Sequence, residues 1–450
     1  MNDSLLGCYR IEEDILRAVT PDVPLTTNLM VAFKPVDVYD WAKHMDIVSF
    51  DMYPAPGTVP SWNALQHDLM RSAKEGLPHL VMEQSPSQVN WQPQNPHKRP
   101  GQMRLHSLQG VAHGADGILF FQWRQSRAGA EMFHSAVVTH EGDEHNRIFK
   151  QAAQVGADLA RLAPVVAGAR TQSDVAILLD WENWWAVEYL PGPSDRLQYM
   201  EMIGRYYHAF HQQNVSIDIV KPDSDLSKYR LVVAPLLHML RPGVAHNLES
   251  FVEQGGTLLT TFFSGIVDEN DHVGMSGYPA ELRKLLGIHV EEFDPLTPTM
   301  TNTLEIKEGA LAGSYPSELW GELIHTEGAH TLGVFGSDYY AQQPALTVNH
   351  FGSGHAYYLA TQSTPEFLDK LARELCQQAN IAALLPVGKN IEVARRITST
   401  GESVYFLLNH TRQAQTVTLP DGNFTSVLDE KAIAGQITIP AMDVIVLKKH

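Results

Sequence analysis

The chain has 450 residues, 44% hydrophobic, 9% aromatic and 19% charged, the composition of a globular protein and not of a disordered or fibrous one. At roughly 150 residues per domain, the length predicts about three domains. With 33 basic and 51 acidic residues the formal charge is −18, a field that repels phosphate backbones and anionic lipid surfaces, so neither nucleic acid nor membrane is expected as a partner. No apolar run is long enough to span a bilayer, and the opening MNDSLLGCYRIEED lacks the basic-then-apolar layout of a secretory signal, which predicts a cytoplasmic protein. Cys8 and Cys376 stand too far apart in sequence for a disulfide framework or a CxxC zinc site and read as buried free thiols. The sequons at Asn214, Asn409 and Asn423 are then chance matches.

Periodic apolar residues Leu5, Cys8, Ile11, Ile15 and Val19 predict an opening helix that ends at Thr20-Pro21-Asp22. Short apolar segments follow at residues 25–30, 47–53, 79–83 and 117–123, each separated by enough chain for a helix and its loops. That rhythm predicts parallel βα units. The helix before the third strand carries Leu65, Leu69, Met70 and Ala73, and the one before the fourth carries Met103, Leu105, Leu108 and Val111 ahead of Gly114. After a periodic helix at 148–162, strands at 175–179, 215–220, 231–234 and 258–261, a helix at 197–212 and the helix stop Gly255-Gly256 have the order of a doubly wound α/β sheet. From about residue 389 the pattern becomes short alternating strands at 391–397, 403–408, 415–419 and 444–447, with turns at Thr400-Gly401 and Asp421-Gly422. The expected organisation is therefore an α/β barrel portion at 1–168, a doubly wound α/β domain at 169–388 and a small antiparallel all-β domain at 389–450.

Glu83 closes the run His79-Leu80-Val81-Met82, which puts a carboxylate where a buried parallel strand meets its loop. In a βα barrel that rim is the catalytic face, although a strand-end glutamate in an ordinary salt bridge fits the position equally well. Asp51 with Tyr53, and Asn28, end two earlier strands, so polar groups recur at the same end of successive strands. Asn90-Trp91 lies in a long polar, proline-rich loop, and Phe120-Phe121-Gln122-Trp123-Arg124-Gln125-Ser126 closes the fourth strand with aromatic and polar side chains together. Sugar sites need such surfaces, because an aromatic face covers the C–H side of a ring while carboxylates and amides bond its hydroxyls. Glu131 and His134 follow on the next loop, where they either bond a substrate or cap a helix. No phosphate loop, no GxGxxG and no HExxH occurs, and the acidic loop holding His140 and His145 reads as a solvated turn. Neither cysteine occupies the strand-to-helix elbow that an amidotransferase nucleophile requires.

On the motifs Thr26-Thr27-Asn28, Val48-Ser49-Phe50-Asp51-Met52-Tyr53-Pro54, Met82-Glu83-Gln84-Ser85-Pro86-Ser87 with Asn90-Trp91, and Phe121-Gln122-Trp123-Arg124-Gln125 with Glu131-Met132-Phe133-His134, the whole chain resembles the glycoside hydrolase family 42 β-galactosidases. The resemblance implies a (β/α)8 barrel, a doubly wound trimerisation domain and a small β domain, with a β-galactoside as substrate and a homotrimer as the assembly. It implies Glu83 as the catalytic nucleophile of a retaining hydrolysis, and Trp91, Glu131 and His134 as residues that hold the galactosyl group. No cofactor is expected. Some relatives carry a cysteine-rich zinc cluster, whose ligands have no counterpart here, so no metal is expected either. Retention requires a second carboxyl group, about 5 to 5.5 Å from the first. By the resemblance this acid/base glutamate follows an asparagine on the fourth barrel strand, ahead of the present sequence, in which four βα units are read where a barrel needs eight. Three accounts stay open: a truncated product, one piece of a two-chain enzyme whose second chain supplies the missing barrel half, or Glu131 in the acid role. A non-catalytic assembly or sugar-binding subunit is the alternative function.

Overall fold

The computed structural model describes residues 1–275 and 277–450. They form two compact units, one of residues 1–172 with 383–450 and the other of residues 173–382. Among the described residues no helix is long and apolar enough to cross a membrane.

The first unit opens with α1 (Asn2–Val19), followed by β1 (Asn28–Met30), the short α2 (Val38–Ala42), β2 (Ser49–Met52), α3 (Pro60–Ala73), β3 (His79–Gln84), α4 (Gln102–Ala112), β4 (Ala115–Phe120) and α5 (Arg147–Val166). The four strands pair in parallel in the order β1-β2-β3-β4, so the predicted βα units are present, half the number that closes a barrel. Asn28 was expected to end its strand and instead opens it, because Thr26 bonds the Ile47 carbonyl and Ser49 through its side chain before the ladder begins. Pro60 starts α3 at the first helical position, where its missing N–H costs nothing. The α3 residues Leu65, Leu69 and Met70 are fully buried, as the periodicity predicts.

The C-terminal strands belong to the same unit. Glu392–Ile397, Ser403–Asn409, Asp443–Lys449, Phe424–Ser426 and Ala432–Ile433 form an antiparallel sheet. Its inner face, with Val404, Phe406, Leu408, Val444 and Val446, shares one core with Leu105, Leu108 and Val111 of α4 and Leu162 and Val166 of α5. Gly101, before α4, has φ +89° and lies so close to the Met442 backbone that a Cβ would fall 2.4 Å from its carbonyl oxygen. Only glycine fits there. His113, at the end of α4, bonds Asp68 (2.9 Å) and Glu392 (2.8 Å). Burial disfavours its charge, but the two carboxylates outweigh that and push its pKa up to about 10. Arg396 is wholly buried, and its guanidinium donates to Asp116 and to the Ala115, Ala169 and Val111 carbonyls.

The second unit begins with β5 (Val175–Leu178), α6 (Trp181–Tyr189), α7 (Tyr199–His211), β6 (Ile217–Val220), β7 (Leu231–Ala234), α8 (Val244–Glu253) and β8 (Thr257–Thr261). Strands β6, β5, β7, β8 and Gly354–Leu359 are parallel neighbours, the open sheet that the sequence predicts. Among the described residues the sheet continues, antiparallel, through Pro344–Phe351, His330–Phe335, Asn302–Ile306, Gly313–Glu318 and Gln362–Ser363. That extension was not read from the sequence, because strands such as Gly313–Glu318 contain proline and only two buried side chains. Both cysteines are free, Cys376 buried as expected and Cys8 exposed on α1, contrary to expectation.

Candidate active site

The parallel register sets Asp51 of β2 directly opposite Glu83 of β3. Adjacent strands lie about 4.8 Å apart, so two carboxylates face the same rim. Asp51 accepts a hydrogen bond from Asn28 Nδ2 at 2.7 Å, while its Oδ1 is buried without a partner. Burial pushes its pKa up to about 6 against the Asn28 hydrogen bond, and the Glu83 charge adds to the rise.

Glu83 has no basic side chain within ion-pair distance among the described residues, so the ordinary salt-bridge reading does not describe it. Its Oε2 accepts instead from the Tyr53 hydroxyl at 2.7 Å. Burial, the bond to Glu83, and the charges of Glu83, Asp51 and Glu131 all raise the Tyr53 pKa, so the phenol remains a proton donor throughout the neutral range. One carboxylate oxygen is thereby fixed and the other is left for a ligand. Replacing Tyr53 by Phe removes a hydrogen bond to a charged group, worth about 1.5–3 kcal/mol.

Tyr53 also joins Glu83 to the aromatic residues. Its ring lies edge-on to Trp91 at 4.9 Å and to His134 at 6.0 Å, and Trp91 stacks on His134 at 5.3 Å. Phe121, just beyond β4, closes the His134 ring from another side at 5.1 Å. His134 is wholly buried; its Nδ1 donates to the Ser135 carbonyl at 2.8 Å, and Nε2 has no partner among the described residues. The loop carrying Trp91 is tied to the Glu131 turn, since Asn90 Nδ2 donates to the Ala130 carbonyl and Gln88 Nε2 to that of Phe133. Trp91 is half exposed, as an aromatic platform must be.

Glu131 sits in the 3₁₀ turn Ala130–Phe133, exposed, near enough for its charge to act on Tyr53. His134 is the C-cap of this turn, its backbone N–H donating to the Glu131 carbonyl at 3.0 Å, while Glu131 lies inside the turn. The structure thus brings Glu83, Trp91 and His134 together through Tyr53 and leaves Glu131 at the margin. The sequence noted Asp51 and Tyr53 only as polar strand ends. Their recurrence on successive strands was the available signal; the bond from Tyr53 to Glu83 spans 30 residues and needs the fold.

Known proteins are similar to this chain along its whole length. Family models described as "Beta-galactosidase", "Beta-galactosidase trimerisation domain" and "Beta-galactosidase C-terminal domain" match residues 1–162, 173–382 and 390–449. The chain is 45% identical over 450 residues to β-galactosidase BgaP of Planococcus sp. (strain L4), covering 100% of this chain and 66% of that protein. A crystal structure of a β-galactosidase from Bacillus circulans sp. alkalophilus superimposes with a TM-score of 0.98 at 44% identity, covering 100% of this chain and 66% of that one. Gan42B, a GH42 β-galactosidase, superimposes with a TM-score of 0.95 at 33% identity, covering 100% of this chain and 67% of that one. The chain therefore spans about two thirds of the length of the relatives it matches. With its parallel βα units, doubly wound sheet and C-terminal antiparallel sheet, it belongs to the glycoside hydrolase family 42 β-galactosidases.

Proposed function

We propose that the chain carries the nucleophile side of a retaining β-galactosidase, removing terminal β-D-galactose. The observation that supports this most is Glu83 at the end of a parallel strand, unpaired with any cation among the described residues, oriented by Tyr53 and bordered by Trp91 and His134. Glu83 attacks the anomeric carbon, a carboxylic acid protonates the leaving oxygen, and water hydrolyses the glycosyl-enzyme with overall retention. Trp91 covers the apolar face of the sugar, and His134 and Glu131 bond its hydroxyls. The ionised Glu83 and Asp51 together favour the positive charge that develops on the ring in the transition state.

In this reading residues 1–168 supply the catalytic part, 169–388 the trimerising part and 389–450 the terminal β part of a homotrimer, and a further polypeptide segment supplies the acid/base. The two free thiols suit the cytoplasm. Glu131 as the acid is the weakest of the three accounts, because it competes with the sugar-binding role. A non-catalytic sugar-binding or assembly subunit is the second reading. The feature that favours it is the sheet β1-β2-β3-β4, whose β1 and β4 edges have no strand partner among the described residues.

The test is hydrolysis of an aryl β-galactoside with a good leaving group, which needs little acid assistance. Proton NMR of the first product is expected to show the β-anomer of galactose. The α-anomer as first product contradicts a nucleophilic Glu83. Galactose binding without turnover, read by Trp91 fluorescence, supports the second reading.

A further inference from the structure

A cavity of about 270 Å³, open to solvent, lies where α3 and α4 begin, bordered by the loops that follow β2 and β3. It shares no lining residue with Glu83, Trp91, Glu131 or His134. Its wall holds Lys98, Arg99, Arg412, His97 and His106 and no aspartate or glutamate, in a chain whose formal charge is −18. Neither Lys98, Arg99 nor Arg412 has a carboxylate partner among the described residues. Among the described residues the Lys98 ammonium donates only to the Ser85 carbonyl, at 2.5 Å. Burial without a counter-charge pushes its pKa down to about 7.

Three further features favour an anion there. The first turns of α3 and α4, whose Asn63 and Gln102 line the cavity, have no side-chain cap among the described residues. His106, which lines the cavity, has its ring Nδ1 buried without a partner among the described residues, a nitrogen that can donate to an oxyanion. Gln102 holds Arg99 in place by accepting from its backbone N–H at 2.5 Å. The volume lies just below the about 300–1,000 Å³ of pockets for larger ligands, which suits a small anion.

We propose that this cavity is a binding site for a phosphate group, with Lys98, Arg99 and Arg412 as its cationic wall and His106 as a further hydrogen-bonding partner. The argument is independent of the galactosidase reading. Arg412 comes from the C-terminal sheet, so the ligand joins that sheet to the βα loops within one unit. Inorganic phosphate and a sugar phosphate present the same oxyanion.

Isothermal titration calorimetry of the full chain with sodium phosphate, at ionic strength held constant with sodium chloride, tests the site. Saturable binding is expected, weakened about tenfold or more by Arg412→Ala and by Lys98→Met, since each removes a charge-assisted bond. Arg412 is exposed, so its truncation leaves folding intact, and circular dichroism verifies this for both variants. Galactose 6-phosphate binding tighter than phosphate assigns a sugar phosphate, and binding no tighter assigns free phosphate. No binding of either probe to the folded chain at about 10 mM, or affinity unchanged in Arg412→Ala, overturns the proposal.

Discussion

Glu83→Gln is expected to abolish turnover of an activated aryl β-galactoside, a loss on the order of 10⁴-fold or more, because an amide cannot form and release the glycosyl ester on which retention depends. The substitution is nearly isosteric, and the amide oxygen still accepts from Tyr53, which now donates at 2.7 Å to the carboxylate. Galactose should therefore still bind, and the Trp91 fluorescence response should persist while turnover is lost. If Glu83 only bonded a hydroxyl, the loss would correspond to one charged hydrogen bond, about 1.5–3 kcal/mol or 10- to 10²-fold. The two roles are thus separated by magnitude. The measurement is single-turnover kinetics beside a binding titration on the same variant, so that loss of folding and loss of chemistry are distinguished.

The second large effect concerns stability. Arg396→Met should destabilise the first unit by about 3–5 kcal/mol, because it strips charge-assisted hydrogen bonds from Asp116 and from backbone carbonyls around a buried guanidinium. Arg396 Nη2 donates to Asp116 at 2.8 Å and to the Ala169 carbonyl at 2.7 Å, and Nη1 to the Ala115 carbonyl at 3.2 Å. Methionine fills the volume but bonds none of these acceptors. Asp116 is partly exposed and recovers some hydration, whereas the carbonyls, at the end of α5 and the start of β4, do not. For a unit of this size each kcal/mol corresponds to about 2–4 °C, so a fall of roughly 10 °C in the Tm of that transition is expected by calorimetry. A fall below about 2 °C would mean that water or relaxation satisfies the carbonyls and that the C-terminal sheet is held by its apolar core alone.

The features legible in the sequence are those with local causes. The strands β2 and β3 are apolar runs with polar residues near their ends, and α3 and α4 carry apolar residues at helical spacing, so the elements could be read directly, although α4 is buried on nearly every side and not on one face. The shift of β1 was not, since Thr26 and Ser49 bond across 23 residues and delay the ladder. The sharing of one core by α4, α5 and the C-terminal sheet was not legible either: periodicity marks the buried face of Leu105 and Leu162 but not what covers it. At the site, the residue types around Glu83 pointed to a sugar, while the orienting role of Tyr53 and the pressure of Glu83 on Asp51 depend on register. Lys98 and Arg412 carry no signal in the sequence, because a cavity wall built from residues more than 300 positions apart leaves no local pattern.

The central claim, that Glu83 is the nucleophile, is tested most directly by trapping the covalent intermediate. A 2-deoxy-2-fluoro galactoside with a good leaving group forms the ester readily and releases it slowly, with little need for the acid. The account predicts an adduct of one glycosyl unit on the intact chain, mapped by peptide mass spectrometry to Glu83 and absent in Glu83→Gln. An adduct on Asp51 or Glu131, or one that persists in Glu83→Gln, would contradict it.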